Sequence, residues 1–138
     1  MPIVLVRRYI RAELKANPDR LFAFGDNLDG RGFGGQAAQA RGEPNAVGIV
    51  TKRSPSMKPS AFLRDCDLAE VFPLWREAFG RLNDHLFAGG VVVWPRDGVG
   101  TGRAELATRS PGLWRELRLF VVGMEVTAAT VIAERKRP

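Results

Sequence analysis

With a single cysteine, a single histidine and a single tyrosine, this 138-residue chain has few of the side chains that most often do covalent chemistry. One cysteine, Cys66, excludes an intramolecular disulfide and a cysteine-based zinc site. It lies between Asp65 and Asp67 and so lacks the positive surroundings that make a reactive thiolate. The lone His85 falls late in a helical pattern and is expected at the surface. There is no Gly-x-Ser-x-Gly elbow and no Walker sequence, and nothing assembles a nucleophile with its base. No apolar stretch reaches the roughly 18 residues of a membrane span. At the start, Ile3 to Val6 precede Arg7 and Arg8, the wrong order for a secretory leader. These absences predict a protein of the reducing cytoplasm, away from membranes, without metal or other cofactor.

Positive charge and glycine are plentiful. The formal net charge is +6, and 15 residues are glycine. The charge favours anionic partners: nucleotides, nucleic acid or acidic surfaces. The length suits one domain over residues 1–138, with 134–138 as a charged tail. Such a chain buries about 70% of the surface its unfolded form exposes.

Two glycine-rich loops each follow a short apolar run. Leu21 to Phe24 reads as a buried strand, and Gly25 to Gln36 is the first loop. Val91 to Trp94 reads as another strand, and Pro95 to Gly102 is the second loop. Ile3 to Val6 suits an edge strand and Ala46 to Val50 a central one. Gln36 to Arg41 is a good helix former ended by Gly42. Thr51 to Ser60 is expected to be a mobile, solvated basic loop. Asp65 to Phe87 carries apolar residues at helical spacing, with Pro73 set to kink or split it. Ser110-Pro111 looks like an N-cap and first helical position, and Val121 to Ala133 reads as a last strand. The alternation predicts an α/β fold, a three-layer α/β/α arrangement around a mixed sheet.

In such sheets ligands bind beyond the carboxyl ends of the strands, where both loops begin. Glycine lets backbone N–H groups approach a phosphate closely. Gly25, Gly30, Gly32, Gly34 and Gly35 of the first loop, and Gly98, Val99, Gly100, Thr101 and Gly102 of the second, are therefore the candidate ligand-binding residues. Arg31 offers a bidentate phosphate contact. Gly34 and Gly35 also place a phosphate near a helix N-terminus. Asp26 and Asn27 are the candidate catalytic pair, as a base or water-orienting groups. Each has a plainer role in turn or cap formation. Asp97 is expected to hold the second loop through its side chain. Asp65, Asp67 and Glu70 suit a helix start better than a magnesium site.

Phe22-Ala23-Phe24-Gly25-Asp26-Asn27-Leu28, then Gly34-Gly35-Gln36-Ala37 and Pro44 to Lys52, resemble the macrodomains, and within them a group of small phage and bacterial macro-like proteins. The resemblance spans roughly residues 20 to 120. It implies a three-layer fold that binds ADP-ribose or a related nucleotide, with hydrolysis of ADP-ribose conjugates as the implied activity. By that likeness Asn27 contacts the distal ribose, Gly30 to Gly35 flank that ribose and the adjoining phosphate, and Gly98 to Gly102 cradle the diphosphate. The chain has one Gly-Asp-Asn where typical macrodomains carry a longer Asn-Ala-Ala-Asn stretch. The alternative reading, from the charge, is a basic nucleic-acid-binding protein without catalytic activity.

Overall fold

A computed structural model describes residues 1–137. Four strands, β1 (Ile3–Val6), β2 (Arg20–Asn27), β3 (Ala46–Lys52) and β4 (Val91–Pro95), form one sheet in the order β1-β4-β2-β3. Every neighbouring pair is parallel, so the sheet is not the mixed one expected. Parallel neighbours need crossover connections rather than tight turns. Helices α1 (Arg11–Ala16), α2 (Ala37–Ala40) and α3 (Leu68–Phe87) lie within those connections.

Side chains alternate across the strands and build two apolar cores. Leu21, Ala23, Val47, Ile49, Val92 and Trp94 share one core with α3 and with α5 (Pro111–Arg135). Phe22, Phe24 and Val93 share the other with Tyr9, Leu14 of α1, and Ala37 and Ala40 of α2. Helices thus cover both faces.

The segment 121–133, expected as a strand, is helical. Leu113, Leu117, Val121, Met124, Ala128 and Val131 recur at helical spacing and are all buried. One continuous packed face outweighs the modest strand preference of the valines and threonines. The helix also takes in Glu134 and Arg135, so the expected tail shrinks to its last residues, and Pro138 lies outside the described residues. Pro73 does not split α3, which runs unbroken from Leu68 to Phe87 behind a 3₁₀ turn at Asp65–Asp67. Ser110 does occupy the N-cap position of α5, but its hydroxyl donates to the Leu63 carbonyl instead. Asp65 caps the helix from a distance, its Oδ1 accepting from Leu113 N at 3.0 Å. Asp67 accepts from Arg64 N and from Arg53, and Glu70 from Arg53, so this acidic cluster is spent on capping and ion pairs. His85 is half-buried, its Nε2 packed beside Gly90 with no hydrogen-bond partner among the described residues.

Two features open a crevice between β2 and β4. The chain leaves β2 toward α2 on one face and β4 toward α5 on the other. Adjacent parallel strands whose connections part in this way leave a gap at their carboxyl ends. Pairing between β2 and β4 also stops at Phe22 and Val93, although both strands continue. The Tyr9 hydroxyl fills the fork, 2.6 Å from Ala23 O and 3.1 Å from Val93 O. Burial raises the Tyr9 pKa well above the usual tyrosine range.

Candidate functional site

The crevice widens into a cavity of about 620 Å³, within the usual range for a small-molecule site. Both glycine loops line it. Gly25, Asp26, Asn27, Arg31, Gly32, Gly34 and Gly35 contribute from the first, and Gly98 to Gly102 from the second. Gly30 is the one candidate not brought to the wall. Its N–H closes a turn on Asn27 O at 3.0 Å, and its φ of +64° is the reason for a glycine there.

The first loop hangs from the end of β2 by side chains. Asn27 is buried, and its Nδ2 donates to Arg31 O at 2.7 Å. Its Oδ1 is buried too and has no partner among the described residues. A buried amide oxygen without a donor is a costly state, and this one belongs to a cavity-lining side chain. Asp26 Oδ1 accepts from Asn27 N at 2.8 Å and pairs with Arg41 Nη2 at 2.7 Å. Arg41 Nε in turn donates to Gly32 O at 2.8 Å. Arg41 therefore ties the strand end to the glycine run. Gln36 adds a second tie, its Oε1 accepting from Tyr9 N at 2.8 Å and its Nε2 donating to Arg7 O at 3.0 Å. The Arg31 side chain is largely exposed at the rim, 3.4 Å from Asp29.

The second loop is closed by its own backbone. Gly98 and Gly100 both have positive φ, 84° and 78°. Thr101 Oγ1 donates to Asp97 O at 2.8 Å, so the threonine side chain rather than the aspartate's holds this turn. The Val99 side chain is buried in the larger core, leaving its backbone at the cavity wall.

The loop expected over 51–60 starts two residues later, and 53–58 are irregular and partly exposed. Thr51 and Lys52 are the buried end of β3, and a 3₁₀ turn follows at Pro59–Ala61. Lys52 is only 7% exposed. Its Nζ donates to Ser56 O and lies 4.7 Å from the Phe62 ring centroid, and Arg109 lies 3.6 Å from the same centroid. Burial, then the charges of Arg103 and Arg109 against that of Glu105, hold its pKa below the usual lysine range. The short α2, four residues long, has too few aligned peptides to present a strong helix terminus to an anion.

Six cationic side chains, Arg7, Arg8, Arg31, Arg41, Lys52 and Arg103, line the cavity against two carboxylates, Asp26 and Asp97. The sequence reading assigned no role here to Arg7, Arg8, Arg41, Arg103, Tyr9 or Phe33. Nothing in their local spacing marks them, since the topology brings them together. The surplus of cationic residues, with two glycine loops at the wall, suits an anionic ligand with several oxygens.

The structure is that of an α/β protein with a cleft, lined by six cationic residues, at the carboxyl edge of a four-stranded parallel sheet. The chain belongs to the family of unknown function DUF7831, whose model matches residues 4–119. That match takes in all four strands and both loops. No curated protein and no solved structure matches the chain. No helix among the described residues is long and apolar enough to cross a membrane.

Proposed function

We propose that the cleft binds a phosphorylated nucleoside, ADP-ribose or a derivative of it, in a three-layer, macrodomain-like manner. The observation that carries this reading is the convergence of Asn27 and the glycine loop at Gly98–Gly102 on one cavity with a surplus of cationic residues. The unpartnered Asn27 Oδ1 supports a hydroxyl donor on the ligand, as a ribose supplies. The glycine amides and Arg103 suit the phosphates. We infer further that the site hydrolyses ADP-ribose conjugates. A water oxygen bonds to the anomeric carbon as the bond to the conjugated group breaks. That group departs with the bonding pair and takes up a proton. Asp26 and Asn27 are the residues set to orient the water. Asp26 Oδ1 is engaged by Arg41 and Asn27 N, which leaves Oδ2 for that role.

Calorimetric titration with ADP-ribose tests the reading. The wild-type protein is expected to bind, and Asn27→Ala and Gly100→Glu to bind at least tenfold more weakly by loss of a ligand contact and by blocking of the wall. Undiminished affinity in both variants removes the assigned site. No affinity for any nucleotide removes the function. The second reading, a nucleic-acid-binding surface, draws on Arg7 and Arg8 at the same cavity. It predicts oligonucleotide affinity that falls steeply with salt.

A further inference from the structure

Phe33 sits in the middle of the glycine run and lines the cavity, yet it is 70% exposed. It belongs to neither apolar core and makes no ring–ring or cation–ring contact among the described residues. The loop on either side of it is pinned. At Gly32, with φ of +93°, a Cβ would meet Pro55 Cβ at 2.8 Å, so the backbone lies hard against Pro55. At Gly34 a Cβ would lie 3.3 Å from Arg103 Nη1, so the arginine just past the second loop lies against the other flank. Arg41 holds the Gly32 carbonyl from within. Phe33 is therefore presented by close packing on both sides.

A phenyl 70% exposed at the wall of a cationic cavity is open to a flat partner. Charge and ring together match a ligand that is anionic at one part and aromatic at another. We propose that Phe33 is the stacking platform for a heteroaromatic ring carried by the phosphorylated ligand. This rests on the nucleotide reading above and adds the feature that sets it apart from sugar phosphates. The ring is either the nucleotide's own base or a ring attached at the ribose.

Three probes separate the cases: ADP-ribose, nicotinamide mononucleotide and ribose 5-phosphate, each titrated into wild type, Phe33→Ala, Phe33→Leu and Phe33→Tyr. A stacked ring predicts that Phe33→Ala and Phe33→Leu weaken ring-bearing ligands about tenfold. Phe33→Tyr retains affinity, and ribose 5-phosphate is indifferent to all three. Loss confined to ADP-ribose assigns the base, and loss confined to nicotinamide mononucleotide assigns the attached ring. Equal loss for all three probes makes Phe33 a loop-shaping residue and overturns the stacking role. So does no loss for either ring-bearing ligand. If wild type binds none of the probes, the nucleotide reading itself fails. A short single-stranded oligonucleotide, bound more tightly than every probe and dependent on Phe33, would move the platform to a nucleic-acid strand and overturn the small-ligand assignment.

Discussion

Gly48→Ala is the sharpest probe of how the site is held. Gly48 lies on β3 opposite Phe24, two residues before the partner of Asp26. A methyl there would sit 2.6 Å from Asp26 Oδ2, 3.1 Å from its Cβ and 3.2 Å from its Cγ. Ordinary contact starts at 3.4 Å, so the carboxylate must retreat by 3.4 − 2.6, or about 0.8 Å. That retreat pulls Oδ1 from Arg41 Nη2, now at 2.7 Å, and from Asn27 N, now at 2.8 Å. Overpacking of this kind costs about 1–3 kcal/mol. Losing a glycine from a strand returns about 0.5–1 kcal/mol of backbone entropy. The net expectation is destabilisation of about 1 kcal/mol at mid-range and at most about 2.5 kcal/mol, with Tm lowered by roughly 3–6 °C at mid-range for a domain of this size. Gly80→Ala is the control. It changes the same atoms in α3, where a new Cβ meets nothing within 4 Å. It should raise stability by about 0.5–1 kcal/mol. Thermal unfolding of both variants, with ADP-ribose titration of each, reads the difference. A Gly48→Ala protein as stable as wild type and equal to it in affinity would refute the idea that Asp26 and Arg41 must hold their places.

Tyr9 gives an alkaline signature. Its raised folded pKa means its contribution is full below about pH 10, where an unfolded tyrosine ionises, and is lost as pH rises beyond. Tyr9→Phe should lose about 1 kcal/mol at neutral pH by leaving the fork carbonyls bare, and show a shallower decline above pH 10 in denaturant titrations. Asp67 gives an acid signature. Burial works to raise its pKa, but the Arg64 N–H and the Arg53 guanidinium together bring it below the usual range. Its stabilisation is present above about pH 4 and fades as pH falls further, so Asp67→Asn should flatten the acid limb of Tm against pH. Arg103→Ala should weaken ADP-ribose binding by about three- to tenfold at low salt, with the gap from wild type narrowing at high salt. A gap that salt leaves unchanged would place Arg103 outside the phosphate contacts.

The strands and both loops were legible because their signals are local: apolar runs of four residues closed by glycine or proline. That both loops leave the carboxyl ends of strands was legible too; that they share one edge followed only if the strands ran parallel, as β2 and β4 do. The parallel sheet was not legible, since nothing local in β1 separates a parallel from an antiparallel partner; the neighbour is β4, nearly ninety residues away. The end of α5 was misread because Val121, Val122 and Val131 carry strand preference, whereas the α3 residues that share a core with Val121 are distant in sequence. Lys52 was misread for a similar reason. Its buried surroundings come from Phe62 and Met57, which pattern reading had placed in or beyond a loop. The cavity residues that went unnoticed, Arg41 above all, act across turns of chain that only the fold closes.

The fork between β2 and β4 also sets what the cleft can do mechanically. A gap between strands is ordinarily locked by a row of main-chain bonds, and widening it means unzipping them in turn. Here the row ends at Phe22 and Val93, and above it a single phenol spans the divide. Parting the two strands above that point therefore breaks no main-chain bond of the sheet and costs only the contacts of the Tyr9 hydroxyl.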